Sequence, residues 1–371
     1  MIPSKTLPMT SQPQAAEAAL HFPIEGQLAA IAPYGSGHIN DTFCAVFHLQ
    51  GAPVRFILQR INTGIFMNPA ALMGNIQRVT AHLAARLAAE PDRDQRVLTL
   101  IPARSGQPFH VDAEGGWWRA YRFIEGARTY DAVESTGQAF QAARAFGRFQ
   151  ELLADLPSPR LIDTIPAFHH TPRRLADFEQ AVAADAAGRA LHARAEIDFV
   201  LSRQSIGGVL LEAGLPERIT HNDTKFNNVM LDEATGQALC VIDLDTVMPG
   251  LALYDFGDMV RTTTSPAMED ERDLSKVTMQ FPMFEALVRG YLSTAGAFLT
   301  KAEKDLLAFS GKLIAFEQGI RFLADHLAGD TYYKVHREGH NLDRCRTQFK
   351  LVESIEEQEE KMNRLIESID L

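Results

Sequence analysis

The chain has 371 residues, 46% of them apolar and 22% charged, the balance of a globular protein of about two domains. No apolar run approaches the roughly 18 residues that a membrane-spanning helix needs, and an N-terminus rich in Pro, Ser, Gln and Ala reads as neither a secretory signal nor a transit peptide. A net charge of −11 argues against a nucleic-acid or anionic-lipid partner, either of which would want a basic surface. The scattered cysteines Cys44, Cys240 and Cys345 allow neither a disulfide framework nor a CxxC metal site, and they fit a reducing cytoplasm.

In chain order, residues 1–20 read as a loose tail. Residues 21–125 read as a small sheet-rich lobe. Thr42–Leu49 and Val54–Ile61 are apolar, β-branched runs on either side of a Gly-containing turn, and Gly116–Ile124 is a further strand. Pro69–Leu87 carries Leu72, Ile76, Val79, Leu83 and Leu87 on one stripe, which predicts a helix. Residues 126–371 read as a larger helical lobe, with helices expected over 135–153, 175–187, 194–202, 286–292, 302–327 and 349–369. The predicted class is α+β, a protein-kinase-like two-lobed fold joined near Phe123–Gly126.

One non-helical island, His221–Arg261, interrupts the helices. Asn228–Leu231 and Ala238–Ile242 are short strands, and the turn between them centres on Gly236. Folding that hairpin brings Asn228 opposite Asp243 at about 5 Å, with a register tolerance of one or two residues. An amide oxygen and a carboxylate there make a hard oxygen site suited to Mg²⁺. Asp245 joins the same side if the strand continues. Asp223, in the loop before the first strand, is placed to accept a hydroxyl proton as phosphate is transferred, and Lys225 to steady the phosphoryl charge. His-x-Asp-x-Lys-x-x-Asn, then a hairpin, then Asp, matches a kinase catalytic loop and its metal-binding Asp.

Two nearby patterns compete. Asp255-Phe256-Gly257 spells the metal triplet of protein kinases but lies off the hairpin, so Asp255 and Asp258 are expected to cap or brace the following segment. Asp243-Leu244-Asp245-Thr246 also fits an aspartate-nucleophile phosphohydrolase, a reading that leaves the His221–Asn228 run unexplained. Upstream, the loop Tyr34–Thr42 holds Gly35, Ser36 and Gly37 with Asn40 and Thr42, small residues whose backbone N–H groups could approach phosphates. The five histidines His169, His170, His326, His336 and His340 have no metal-binding spacing.

Taken together, the sequence resembles the aminoglycoside phosphotransferase/choline kinase superfamily. His221-Asn222-Asp223 through Asn228 stands for its His-Gly-Asp-x-x-x-x-Asn, and Val241-Ile242-Asp243 for its metal Asp. Within it, HNDTKFNNVML (221–231), VIDLDTVMPGLALYDFGDMVR (241–261), FILQRINTGIF (56–66) and IRFLADHLAGDTYYKVHREGHNLDR (320–344) look most like N-acetylhexosamine 1-kinases. The resemblance covers roughly residues 30–365.

That resemblance implies ATP in the cleft, Mg²⁺ on Asn228 and Asp243, and Asp223 as the base. It implies transfer of the γ-phosphate to the anomeric hydroxyl of GlcNAc or GalNAc. Adenine would meet the backbone of Arg122, Phe123 and Ile124, and Arg321 and Tyr332 would hold the sugar. The sequence also departs from the pattern. The third strand ends Leu58-Gln59-Arg60 without the usual Lys, which leaves Arg60 to supply the charge if its register points it into the cleft. The helix Pro69–Ala89 has no Glu to complete a Lys–Glu brace, and Asn222 replaces the common Gly. Other acceptors (another sugar, an amino alcohol, an aminoglycoside) stay open from the residues alone, as does a nucleotide-binding pseudokinase.

Overall fold

The computed structural model describes residues 10–35, 37 and 39–369. Its first half contains helix α1 (Gln12–Ala19), strands β1 (Gln27–Pro33), β2 (Asp41–Leu49) and β3 (Ala52–Ile61), helices α2 (Pro69–Arg86) and α3 (Arg93–Arg96), and strands β4 (Leu100–Ile101), β5 (His110–Val111), β6 (Trp117–Arg122) and β7 (Ala127–Arg128). Helices α4 (Thr136–Leu153), α5 (Thr171–Ala184), α6 (Arg194–Arg203) and α7 (Val209–Glu212) follow. The island contributes β8 (Arg218–Thr220), β9 (Val229–Asp232), β10 (Ala238–Val241) and β11 (Met248–Gly250). The chain closes with α8 (Ala252–Thr263), α9 (Phe281–Ala295), α10 (Lys301–Asp305), α11 (Leu307–Leu327) and α12 (His340–Glu367).

An antiparallel sheet in the order β1-β2-β3-β6-β4, with β5 also on β6, builds the N-terminal region, and helices dominate the larger C-terminal region. This is the expected α+β, two-lobed kinase-like arrangement. Strand alternation gives the sheet two different faces. Phe43, Ala45, Phe47, Leu58, Trp118 and Ala120 line one. Ile61 and Tyr121 belong to the other, packed with Leu72, Ile76, Val79 and Leu83 of α2 and with Phe149, Leu244 and Val247 from the C-terminal region.

The expected loose tail is corrected over its second half, where Gln12–Ala19 is a helix. Ser11 and Gln14 form a capping box. Ala15, Ala18, Ala19 and Phe22, at helical spacing, bury against the first face of the sheet. Thr10 adds two bonds to Asp41, from its amide at 3.1 Å and its hydroxyl at 2.5 Å.

In the C-terminal region α11 is buried nearly all round and packs on α5, α8 and α12. The helix expected over 302–327 starts at a Thr300/Glu303 capping box and breaks at Leu306, whose φ −103° and ψ 6° leave the helical range, into α10 and α11. The last helix begins at His340 rather than at 349. Helices α4 and α9 approach closely at Gly290, where a Cβ would fall 2.3 Å from the Phe140 carbonyl oxygen. Among the described residues no helix is long and apolar enough to cross a membrane.

Candidate active site

Pairing of β8 with β11 fixes the start of the loop 221–228. Its second residue, Asn222, has φ +64°, the left-handed conformation that Gly adopts freely and Asn tolerates better than most residues. The replacement of Gly therefore preserves the turn. Asn222 adds its side chain as a strut, with Nδ2 donating to the Thr246 carbonyl (2.9 Å) and Oδ1 accepting from the Thr220 hydroxyl (3.0 Å). His221 is buried against Phe146 and Phe149. Its Nδ1 accepts from the Asp223 amide (3.3 Å), so the proton belongs on Nε2, which faces the Ile242 carbonyl at 2.8 Å.

The loop hangs on two acids of α8. Asp255 accepts from the amides of His221 (2.9 Å) and Asn222 (2.7 Å) and from Gln150 Nε2 (2.6 Å); Asp258 accepts from the Thr224 amide (2.9 Å). Asp255 and Asp258 thus brace the loop before them, and Asp258 also pairs with Arg261 at 2.8 Å in the segment after it. Burial pushes the Asp255 carboxyl above its ordinary range.

These contacts present Asp223, Lys225 and Asn228 together. Lys225 Nζ lies 2.9 Å from Asp223 Oδ1, and Asn228 Nδ2 donates to the Asp223 carbonyl at 2.8 Å. Burial works to raise the Asp223 carboxyl, but Lys225 outweighs it and holds the group below the usual range. The hairpin register is one residue off the nominal pairing, within its tolerance: at the turn Ala238 pairs two residues off, with Leu231, and a bulge between Ala238 and Cys240 recovers one of them. Asn228 faces Ile242, whose amide donates to the Asn228 carbonyl at 2.9 Å, and Asp243 comes next.

Asp243 has φ +59° and opens to the cleft. Loss of water between the cleft walls, with the charges of Asp245 and Asp223 beside it, pushes its carboxyl up to about 6. Among the described residues it makes no ion pair. A carboxylate crowded by acids, next to an amide whose nitrogen is already committed, is a donor set that fits a divalent cation. No group of three or more His, Cys, Asp or Glu among the described residues forms a metal cage. A cation held here would take its remaining ligands from phosphate oxygens and water.

Asp245 is corrected. The strand does not continue past Asp243; Leu244–Thr246 is a 3₁₀ turn that aims Asp245 at the sheet. Its carboxylate pairs with Arg119 of β6 and accepts from Asn40 Nδ2 at 2.6 Å, so it is spent on protein partners. Arg60 is corrected too. Its register partners Asp41 and Trp118 belong to the face that carries α1, and it donates to the Thr10 hydroxyl at 3.2 Å, on the side away from Asp245. The neighbouring register instead turns Thr42, Gln59 and Arg119 toward the cleft. In the glycine loop Gly35 has φ +79°, whereas Ser36 lies outside the described residues. The Asn40 amide is committed to Asp245 and to the Asn62 N–H (2.9 Å), and the Thr42 hydroxyl accepts from Gln59 at 3.0 Å. Gly35 and Gly37 retain the open backbone. In the linking segment the Arg122 side chain is exposed, Phe123 is covered by the Arg55 guanidinium at 3.8 Å, and Ile124 packs with Cys240, Met230 and Ile242.

Also at the start of the loop, His169 Nε2 lies 3.1 Å from the Asn222 carbonyl and joins it to α5 and α11. Glu317 is occupied by His169 (2.9 Å) and Thr171 (2.7 Å). Arg321, one turn on, makes no carboxylate pair among the described residues. It donates to Gln318 at 3.2 Å and lies 5.2 Å from the Phe168 ring and 5.9 Å from the Tyr333 ring. Arg174 donates to the carbonyls of Ala167 (3.1 Å) and Phe168 (2.8 Å) and reaches Asp177 only at 3.9 Å. Burial, then the Arg321 charge, lowers its pKa. Arg321 and Tyr332 are thus brought together beside the loop, at a wall where the Arg321 and Arg174 guanidiniums stand near the already bonded Glu317 carboxylate.

The model of a phosphotransferase enzyme family matches residues 30–276, about two thirds of the chain. The chain belongs to that family. As a member it is an ATP-dependent phosphotransferase in general character. Solved structures share the fold at low identity. An aminoglycoside phosphotransferase from Alicyclobacillus acidocaldarius is 12% identical at a TM-score of 0.62, covering 99% of both chains. A microcompartment-associated aminopropanol kinase is 17% identical at 0.57, over 95% of this chain and 99% of that one. A choline/ethanolamine kinase family protein from Mesorhizobium loti is 16% identical at 0.57, over 95% and 98%.

This family member also uses residues that the sequence did not single out. Arg119 is one, hidden because a strand arginine has no local pattern. Asp325, fully buried, is another. Its carboxylate accepts the amides of Thr331 (2.8 Å), Tyr332 (2.7 Å) and Tyr333 (2.9 Å), and Asn341 Nδ2 at 2.9 Å. The available signal was an Asp in an apolar helix four residues before a Gly-Asp-Thr turn. Asp325→Ala would strand three amides and release the turn that carries Tyr332. Steady-state kinetics should show the acceptor KM rising about tenfold or more with the ATP KM nearly unchanged, since losing a charged acceptor costs about 1.5–3 kcal/mol.

Proposed function

We propose that the chain is a kinase that transfers the γ-phosphate of ATP to the anomeric hydroxyl of an N-acetylhexosamine, GlcNAc or GalNAc. The observation that carries the transfer is Asp223, paired with Lys225 and bonded to Asn228, beside Asp243, which makes no ion pair among the described residues. In this reading Asp223 Oδ accepts the proton of the acceptor hydroxyl. Lys225, 2.9 Å away, neutralises charge on the phosphoryl oxygens as it leaves the carboxylate. Asn228 and Asp243 hold Mg²⁺, which when bound screens the phosphate charges. The backbone of Gly35 and Gly37 approaches the phosphates, and adenine lies between the backbone of Arg122–Ile124 and the apolar surface of Met230 and Ile242.

The acceptor reading rests on charge. An amino alcohol or aminoglycoside is a cation and needs carboxylates around it. Here Glu317 is already bonded, while Arg174 and Arg321 flank the site with Tyr332. Donors of that kind suit the hydroxyl and carbonyl oxygens of a neutral acetamido sugar. A phosphohydrolase using Asp243 and Asp245 is disfavoured by the commitment of Asp245 to Arg119 and Asn40.

The test incubates the protein with Mg·ATP and matched acceptors: GlcNAc, GalNAc, their free-amine forms, choline and ethanolamine. ADP and a sugar 1-phosphate, located by NMR, are expected from the N-acetylated sugars. Phosphorylation of the amines alone would overturn the acceptor assignment. Asp243→Ala should weaken Mg·ATP binding about tenfold or more by calorimetry, as expected for loss of a carboxylate ligand.

A further inference from the structure

Family kinases of the protein-kinase type steady their phosphates with a strand lysine and a helix glutamate, and this chain has neither. The cleft face of its sheet carries instead one polar chain, partly buried at Gln59 and Thr42 and buried at Arg119. Arg119 Nε donates to Gln59 Oε1 at 2.9 Å, and Gln59 Nε2 donates to the Thr42 hydroxyl at 3.0 Å, so β6, β3 and β2 are tied in sequence. The Arg119 guanidinium also pairs with Asp245, and both side chains are nearly inaccessible, 1% and 4% exposed. The second oxygen of Asp245 accepts from Asn40 at 2.6 Å, at the end of the glycine loop, and Asn40 Oδ1 in turn holds the Asn62 amide that ends β3. The Asp245 carbonyl accepts from the Thr164 hydroxyl at 2.9 Å, which anchors the same turn to the C-terminal region. Asp245 stands two residues after Asp243, within the turn that throws Asp243 into its left-handed conformation.

We propose that Arg119 and Asp245 are positioning residues for the nucleotide: their buried pair locks the glycine loop and the sheet to the turn that presents Asp243, in place of the missing lysine–glutamate brace. A buried ion pair costs much of its attraction in desolvation, and apolar replacements of similar volume are often as stable. Its retention here is therefore explained by geometry. The pair fixes the distance between the loop that cradles phosphates and the carboxylate that holds their cation. Only a forked guanidinium reaches Asp245 and Gln59 together; an ammonium would reach one of them.

The inference rests on the assignment of Asp243 to Mg·ATP and is independent of which acceptor is used. The experiment is calorimetric titration of the full-length chain with Mg·AMP-PNP and with metal-free AMP-PNP, alongside thermal unfolding. The double variant Arg119→Met with Asp245→Leu should unfold near the wild-type temperature. It should bind Mg·AMP-PNP at least about tenfold more weakly, with a clearly smaller change for the metal-free nucleotide, a split that a merely structural role would not produce. Arg119→Lys leaves no stranded carboxylate, so it reports even if the double variant fails to fold, and a loss of about threefold to tenfold is expected for the forfeited fork. Wild-type affinity and wild-type magnesium dependence in whichever of these variants folds would overturn the proposal. Failure of the wild-type chain itself to bind Mg·AMP-PNP would instead overturn the nucleotide assignment beneath it.

Discussion

Asp223→Ala is expected to lower turnover by about 10²- to 10⁴-fold, the usual contribution of a positioned general base, while leaving Mg·ATP binding close to wild type. The loop should survive the change, because it is held by groups other than the Asp223 carboxylate. Asn228 Nδ2 grips the Asp223 carbonyl, and the amides of His221, Asn222 and Thr224 are held by Asp255 and Asp258. Lys225, freed from its partner, becomes a second cation facing the phosphates. Nucleotide affinity should therefore hold or rise slightly as kcat falls, and that divergence is the signature of a base. Equal loss of kcat and nucleotide affinity would indicate a collapsed loop, and near-wild-type turnover would remove Asp223 from the mechanism. Single-turnover rates and calorimetry on a folded variant separate the cases.

The second large effect is expected at the carboxylate that holds this loop from behind. Asp255 is fully buried and accepts two backbone amides and one side-chain amide. Asp255→Ala strands the His221 and Asn222 N–H groups where water cannot reach them, at about 1–3 kcal/mol each. It also deprives Gln150 of a partner at the point where Gln150 meets the Tyr291 hydroxyl at 2.5 Å. A loss of about 3–5 kcal/mol of stability is expected in urea unfolding, together with loss of activity. Asp255→Asn should rescue only partly. Its amide oxygen can accept one N–H, but its NH₂ would oppose the other. Full stability in Asp255→Ala would show that the loop is held by the β8–β11 pairing alone.

The loop 221–228 was legible because its polar side chains lie on one short stretch of chain, and a hairpin turn brings Asp243 back to them by a path that can be counted. The count came within its tolerance, one residue out, because the turn closes two residues off its expected centre and a bulge, which carries no plain sequence mark, recovers one of them. The brace around Asp245 was illegible for a different reason. Arg119 and Asp245 are 126 positions apart, and nothing local to either says that they meet. Arg60 looked like the natural cation because it lies next to where a lysine would stand. A period of two put it on the wrong side of the sheet and put Gln59 on the right one. Asp325 was overlooked because an acid within an apolar helix reads as an anomaly until the amides it serves are known. The N-terminal helix could have been found from its Ser-x-x-Gln box and its Ala15/Ala18/Ala19/Phe22 stripe, but a high content of Pro, Gln and Ser masked both.

That helix has a practical consequence. The family match begins at residue 30, so a trimmed gene would naturally start there. Such a product would leave Phe43, Phe47, Leu58 and Trp118 without their cover, baring an oily patch on a sheet whose own edges invite self-association. Recombinant work that begins the chain downstream of Thr10 should expect inclusion bodies rather than a leaner enzyme.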